Sequence, residues 1–277
     1  MKLIDFDGLF DVKLTQYMEE NKNKYTEKQW EDIIPKLYKK FGDTYVAKVK
    51  CTPKEYYGKM TDSQLVETLS AHLKEDVPVP EFLCAEIETR GVTETLLPLL
   101  KGEDTQTAIY ALNLIGDDAR AYDTYFSILT EGRFDEDLRN DIVEVFKFHA
   151  DAVKDRAYEA YKQGLASEYM LEILSRVKEK EDRVYEVLKT AFLSGDNVPM
   201  RASYLASYGD ERALEMLLAR IEDRTIGFVE FQELKYAIEA LGGEYSEPRD
   251  FSEDKDYLAV EDAASRAVTS ETETHRS

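Results

Sequence analysis

Arg120, Tyr122, Asp123 and Tyr125 fall within six residues of one run, RAYDTYFSIL. A guanidinium beside a carboxylate makes a charge-assisted pair, and a phenol can carry a proton, so these types suit an ion-pair contact or acid–base work. The run is not unique. RAYEAYKQGL begins at Arg156, RVYEVLKTAF at Arg183 and RALEMLLARI at Arg212. In the last of these Leu214 and Leu217 stand where Tyr122 and Tyr125 stand in the first, so the columns select apolar bulk and not a reactive phenol.

On a helical wheel Ala121, Tyr122, Tyr125, Phe126 and Leu129 share an arc of roughly 140°, the width of a core-facing stripe. Tyr158, Tyr161 and Tyr185 fall in the same columns. Arg120 with Asp123, Arg156 with Glu159, Arg183 with Glu186 and Arg212 with Glu215 face away from it. Stacked side by side, such helices line these residues up as an Arg column and an acidic column, the candidate partner-binding surface. Arg is electrostatically poor in the first turn of a helix, and Arg preceding an acid is the weaker order for an intrahelical pair. Its recurrence therefore calls for a compensating carboxylate. Asp117, Asp118, Asp155, Asp182, Asp210 and Glu211 lie just upstream, which predicts a ladder in which each Arg binds an acid at a neighbouring turn and fixes the stacking register.

Other chemistry is thinly represented. The three histidines, His72, His149 and His275, are scattered, and His149 aligns with Ile115, Val177 and Tyr208, which predicts a packed interior position. There is no His-Glu-x-x-His or paired-Cys spacing for zinc, no phosphate-cradling glycine loop and no GxSxG elbow. The run DFDGLFD near the start lacks the glycine and glutamate positions of a calcium loop. Cys84 sits among apolar residues in EFLCAEI as a core filler. No residue is therefore assigned a catalytic, cofactor-binding or metal-ligating role, and no cofactor is expected.

Helix signals dominate the elements that position these residues. Thr26 with Gln29 and Thr52 with Glu55 match the capping box, and Pro53 suits a first helical position. Gly42 after YKKF reads as a stop, and Pro35 predicts a kink or split in the helix before it. The pattern gives helices near 6–22, 26–41, 53–59 and 62–74, then a break at DVPVP. Beyond Pro80 the sequence repeats. ALNLIG, VFKFHA, ILSRVK, YLASYG and AIEALG end at residues 116, 150, 178, 209 and 242, spacings of 34, 28, 31 and 33, and the Arg-led runs fall between them. GVTETLLPLL at 91–100 aligns as an earlier copy with Gly91 in the Arg column. A hairpin of about 31 residues cannot bury its apolar stripe alone, so neighbours must stack.

The runs LASYGDERALEMLLARI and ALNLIGDDARAYDTYFSIL resemble the short HEAT-like repeats of the phycobilisome-lyase type, in which a Gly-Asp turn precedes an Arg-Ala that opens the second helix. The resemblance covers residues 78–243, and the copies at 145–165 and 173–192 lack the Gly-Asp turn. It implies an α-α superhelix, a HEAT-like, armadillo-like solenoid whose second helices line a concave face and whose usual role is binding.

Charge sharpens the division. Residues 1–60 hold 12 Lys and 10 acids, a net of +2, so the remaining chain carries -23 of the total -21. Residues 244–277 hold 10 acids against four Arg or Lys. The expected architecture is all-α, with a helical module over 1–77, HEAT-like hairpins over 78–243 and an acidic, disordered tail over 244–277. Within that tail DYLAVEDAASRAV, 256–268, has the pattern of a short amphipathic helix, able to cap the last repeat or to fold on a partner. The net charge disfavours nucleic acid, and no stretch of 18 apolar residues exists for a membrane span. Two cysteines and no secretory h-region at the start point to the cytoplasm. The expected function is a non-catalytic scaffold or adaptor that binds a polypeptide, basic by charge complementarity, on the columns named above. A lyase-like enzyme on the same repeats and a nucleic-acid-binding repeat protein are the alternatives.

Overall fold

The computed structural model describes residues 3–263. Within them the chain is helical, with no β-strand; an isolated antiparallel bridge joins Val46 to Cys51. It divides into two compact units, Met1–Ile142 and Val143–Ser277.

The first unit contains α1 (Phe6–Glu20), α2 (Glu27–Phe41), α3 (Pro53–Gly58), α4 (Asp62–Lys74), α5 (Glu81–Arg90), α6 (Thr93–Leu100), α7 (Thr105–Ile115) and α8 (Tyr122–Thr130). Capping boxes start α2 at Thr26 and α3 at Thr52, and a third, Thr61 with Gln64, starts α4. α2 runs through Pro35 without splitting. Both Pro35 and Glu31, whose carbonyl the missing N–H would have served, are exposed, so the orphaned acceptor is open to solvent. Gly42 ends α2 with ordinary right-handed angles, φ -55°. What Gly42 supplies is space, since a Cβ there would lie 2.7 Å from the Phe82 ring.

Across residue 77, where the charge balance changes, side chains bind the Lys-bearing helices to α5. Arg90 of α5 donates to the carbonyls of Met60 (2.7 Å) and Gly58 (3.0 Å) at the end of α3, and pairs with Asp62 at 3.1 Å. Asp7 of α1 accepts the Tyr38 hydroxyl at 2.5 Å and the backbone N–H of Glu81 at 3.3 Å, capping α5. Tyr38 stacks on Phe82 with ring centroids 4.6 Å apart. Beneath these contacts Phe6, Tyr57, Leu65, Leu69 and Leu83 are fully buried in one core.

α9 (Glu136–Phe148) leads into the second unit, which holds α10 (Ala150–Lys162), α11 (Ser167–Leu174), α12 (Asp182–Leu193), α13 (Val198–Tyr208), α14 (Leu214–Ile221) and α15 (Phe228–Ala240). α13 packs against both α11 and α15, forming a layer of first helices, and the second helices α12 and α14 pack on α13 and α15. Ile173, Leu174, Val184, Leu205, Leu217 and Leu234 fill the space between. The first helices end at Ile115, Phe148, Leu174, Tyr208 and Ala240, within four residues of the aligned endpoints. Where the repeat ends in glycine, at Gly116, Gly209 and Gly242, φ is positive, a conformation glycine adopts without strain.

Residues 244–263, expected from composition to be disordered, dock on α15. Tyr245 and Phe251 are buried against Phe231 at centroid distances of 6.0 and 5.1 Å. Arg249 donates to the carbonyls of Ile221 (2.5 Å) and Asp223 (2.8 Å), closing the end of α14. Residues 255–263 are helical, and the remainder of the acidic tail lies outside the described residues.

Candidate functional site

Three of the four Arg-led runs open second helices, and two of these begin with a short 3-10 turn, Ala119–Ala121 and Glu211–Ala213. At each turn the residue two before the Arg supplies the cap. Asp210 accepts the backbone N–H of Arg212 at 3.1 Å, and the Arg212 side chain donates back to the same carboxylate at 2.7 Å. The second arm of Arg212 donates to Asp182 at 2.8 Å, at the start of α12. Its guanidinium lies 4.1 Å from the ring centroid of Tyr185, which is only 5% exposed. One helix therefore grips the next by an ion pair and by a cation stacked on an aromatic face.

One copy earlier the pattern recurs. Arg183 donates to Glu181 at 2.6 Å, reaches Asp155 on α10, and covers the Tyr158 ring at 5.2 Å. In the first unit Arg120 binds its own Asp118 at 2.5 Å and Glu94 of α6 at 2.8 Å. Thr93 occupies the column where the next three copies have Tyr, and the third contact becomes a hydrogen bond from Arg120 to the Thr93 hydroxyl at 3.0 Å. Arg156 differs. Its copy lacks the Gly-Asp turn, α10 begins at Ala150, and Arg156 lies inside the helix and not in its first turn. Two residues before it stands Lys154, which pairs with Glu181 at 2.5 Å.

The electrostatic consequence is one-sided. Arg120 and then Thr93 hold the Asp118 carboxyl far below its ordinary range, Arg212 lowers Asp210, and Lys154 with Arg183 lowers Glu181. The three guanidinium groups of Arg120, Arg183 and Arg212 are thus committed to neighbouring turns. The acidic column is a different matter. Asp123, Glu159, Glu186 and Glu215 are all exposed. Glu186 pairs along its own helix with Lys189 at 3.1 Å, and the rungs use the acids upstream of each Arg in place of Glu159, Glu186 and Glu215. In the second unit the structure thus separates two columns that the wheel placed together, whereas in the first unit Glu94, in the acidic column of the copy at 91–100, is itself a rung partner of Arg120. Arg carries the register, and the outward carboxylates carry the surface.

The aromatic columns divide as well. Tyr125 is fully buried and donates to the Gly116 carbonyl at 2.8 Å, whereas Tyr122, Tyr158 and Tyr161 are half-buried. Tyr208, at the end of α13, accepts the Glu181 N–H at 2.7 Å and donates to the Glu181 carbonyl at 3.1 Å. His149 is half-buried and not packed inside, because α9 ends beside it and leaves it at the turn into α10. His72 is fully buried, Cys51 and Cys84 are free thiols, and burial pushes the Cys84 thiol up despite the Tyr110 hydroxyl 3.3 Å away. Among the described residues no group of three or more His, Cys, Asp or Glu is placed to hold a metal ion, and no helix is long and apolar enough to cross a membrane.

The sequence pattern missed two features. The Arg–Tyr stack joins position +2 of one copy to the Arg of the next, a relation invisible within either helix. The other is an apolar groove between α1 and α2, whose signal was the spacing of Phe10, Leu14 and Tyr17 opposite Leu37 and Phe41. No protein-family model matches the chain, and neither does any curated protein.

Proposed function

We propose that the chain is a non-catalytic interaction scaffold whose helix pairs from about residue 78 stack as a HEAT-like α-α superhelix. On this reading the second helices line its concave side and bind a basic polypeptide. One observation carries the proposal: the rungs consume the arginines internally and leave Glu159, Glu186 and Glu215 exposed in one repeated position. A row of carboxylates on a register-locked stack is a preorganised acidic surface, which steers and orients a cationic partner. Cytoplasmic location fits the two free thiols.

Affinity capture from the native host, run in parallel with the wild-type chain and an E159K/E186K/E215K variant, tests the reading. A basic polypeptide should be retained by the wild type, lost from the variant and released as salt rises. A partner held equally by the variant, or insensitive to salt, counts against it.

A further inference from the structure

The α1–α2 hairpin leaves an apolar groove open to solvent. Phe10 and Leu14 of α1 face Leu37 and Phe41 of α2 around a space of about 190 Å³. Small-molecule pockets begin at about 300 Å³, so the groove suits one or two aliphatic side chains of a protein segment. Lys13 and Lys40 stand on its rim and no carboxylate lines it. The Lys13 ammonium lies 5.0 Å from the Phe41 ring centroid, over the mouth of the groove. In a chain of net charge -21, an apolar slot with a purely basic rim is complementary to an acidic segment with aliphatic anchors.

The helix at 255–263 has that chemistry. Leu258 and Val260 are 47% and 55% exposed. Asp256, Glu261 and Asp262 accompany them, with Lys255 as the one basic residue of the stretch. The helix is tied firmly to its own unit. Tyr257 packs on Phe228 at 5.2 Å, and the Asp254 carboxylate accepts both the Phe228 N–H at 3.0 Å and the Asp256 N–H at 2.9 Å. A fixed, acidic helix with Leu258 uncovered beside Glu261 and Asp262 is a surface that another molecule can meet without reordering it.

We propose that the α1–α2 groove of one molecule takes the acidic helix 255–263 of a second copy. The Leu258 side chain enters between Leu14 and Leu37, and Glu261 and Asp262, three and four positions on and therefore on the same face of the helix, meet Lys13 and Lys40. The contact is heterologous, since groove and helix are different surfaces, so each copy uses both and association continues beyond a pair. The patch is small, which makes the association weak, concentration-dependent and sensitive to salt.

Sedimentation velocity of the full chain over a concentration series at low salt tests this. The mass should rise above 31.9 kDa with concentration and fall back as salt is added. K13E/K40E and, separately, L258E should each weaken association at least about tenfold, as charge reversal or loss of an anchor does at a small interface. All three positions are exposed, so both variants should keep wild-type circular dichroism. Mixing the two variants is decisive. One retains its helix and the other its groove, so the mixture should form a dimer and stop there. A mass of 31.9 kDa at every concentration overturns the proposal, as does association that survives K13E/K40E or a mixture that stays monomeric.

Discussion

The second helices α10, α12 and α14 and the hairpin α1–α2 are built from the same ingredients, aromatic rings, aliphatic side chains and Lys or Arg, and treat them in opposite ways. In the second-helix stack Arg side chains lie over the rings. Arg212 and Arg183 lie over Tyr185 and Tyr158, and Tyr185 retains 5% of its exposure. In the hairpin no residue from 11 to 40 is buried, although Leu14, Tyr17, Trp30 and Leu37 lie along its facing sides. The stack has a layer of first helices behind it, whereas the open half of the hairpin consists of two helices and solvent. Burial in this chain therefore follows the number of layers and not the hydrophobicity of any one helix. A stack with Arg laid over its rings presents chiefly its outward charges, while a hairpin with a half-open groove still has apolar surface to bury.

The sharpest way to break this contrast is to truncate one leucine in each region. Leu234 of α15 is fully buried, and Leu234→Ala should destabilise the protein by about 2–5 kcal/mol, the cost of lost contacts plus a residual cavity. Leu14→Ala, at a half-exposed position, should cost under about 1 kcal/mol because little new apolar surface is created and no cavity forms. Urea unfolding followed by circular dichroism measures both. Equal costs would mean that something covers the hairpin in the free protein.

A smaller effect separates polar from apolar covering inside the stack. The Tyr208 hydroxyl serves both the N–H and the carbonyl of Glu181, at the turn before α12. Tyr208→Phe keeps the ring and strands both backbone groups, with an expected loss of about 1–2 kcal/mol. Amide exchange should localise the loss to Glu181 and the first turn of α12. A uniform loss of protection across the second unit would assign the cost to ring packing.

The same contrast explains what the sequence made legible. Helix starts were readable because a capping box is local; Thr26 with Gln29 lies wholly within four residues. Helix ends were readable because apolar columns recur at the spacing of a hairpin, and the upstream acids that bind the Arg side chains could be named because each Arg in a first turn demands one. Arg156 shows the limit. It matches the motif in every letter, yet without a Gly-Asp turn nothing stops α10 from starting earlier, and the residue moves inside the helix. Gly42 shows another, since its letter reads as a helix stop while the space it leaves serves Phe82, 40 residues along the chain. The docking of 244–263 was hidden for a related reason. The composition of the tail is polar, but Tyr245, Arg249 and Phe251 are spaced to reach α14 and α15, and only the folded partner reveals that spacing as a contact.

The finest distinction lies inside the stack, between carboxylates in the rungs and those outside them, and acid titration of the rung should expose it. Arg212 lowers the folded-state value of Asp210, so its contribution to stability is full above the unfolded value, near pH 4, and is lost as pH falls through the lower folded value. Asp210→Asn retains the shape and removes the charge. The variant should be less stable than wild type at neutral pH by a gap that stays level down to about pH 5 and closes below about pH 4, where wild-type Asp210 is itself being protonated. Comparing the two proteins at each pH cancels the general relief of self-repulsion that acid brings to a chain of charge -21. Glu159 and Glu215, exposed and outside the rungs, supply the control at neutral pH, where Glu159→Gln and Glu215→Gln should each change stability by less than about 0.5 kcal/mol. A gap for Asp210→Asn that persists undiminished at pH 2 would locate its role in the backbone cap it gives Arg212 and leave the ion pair without a share in stability.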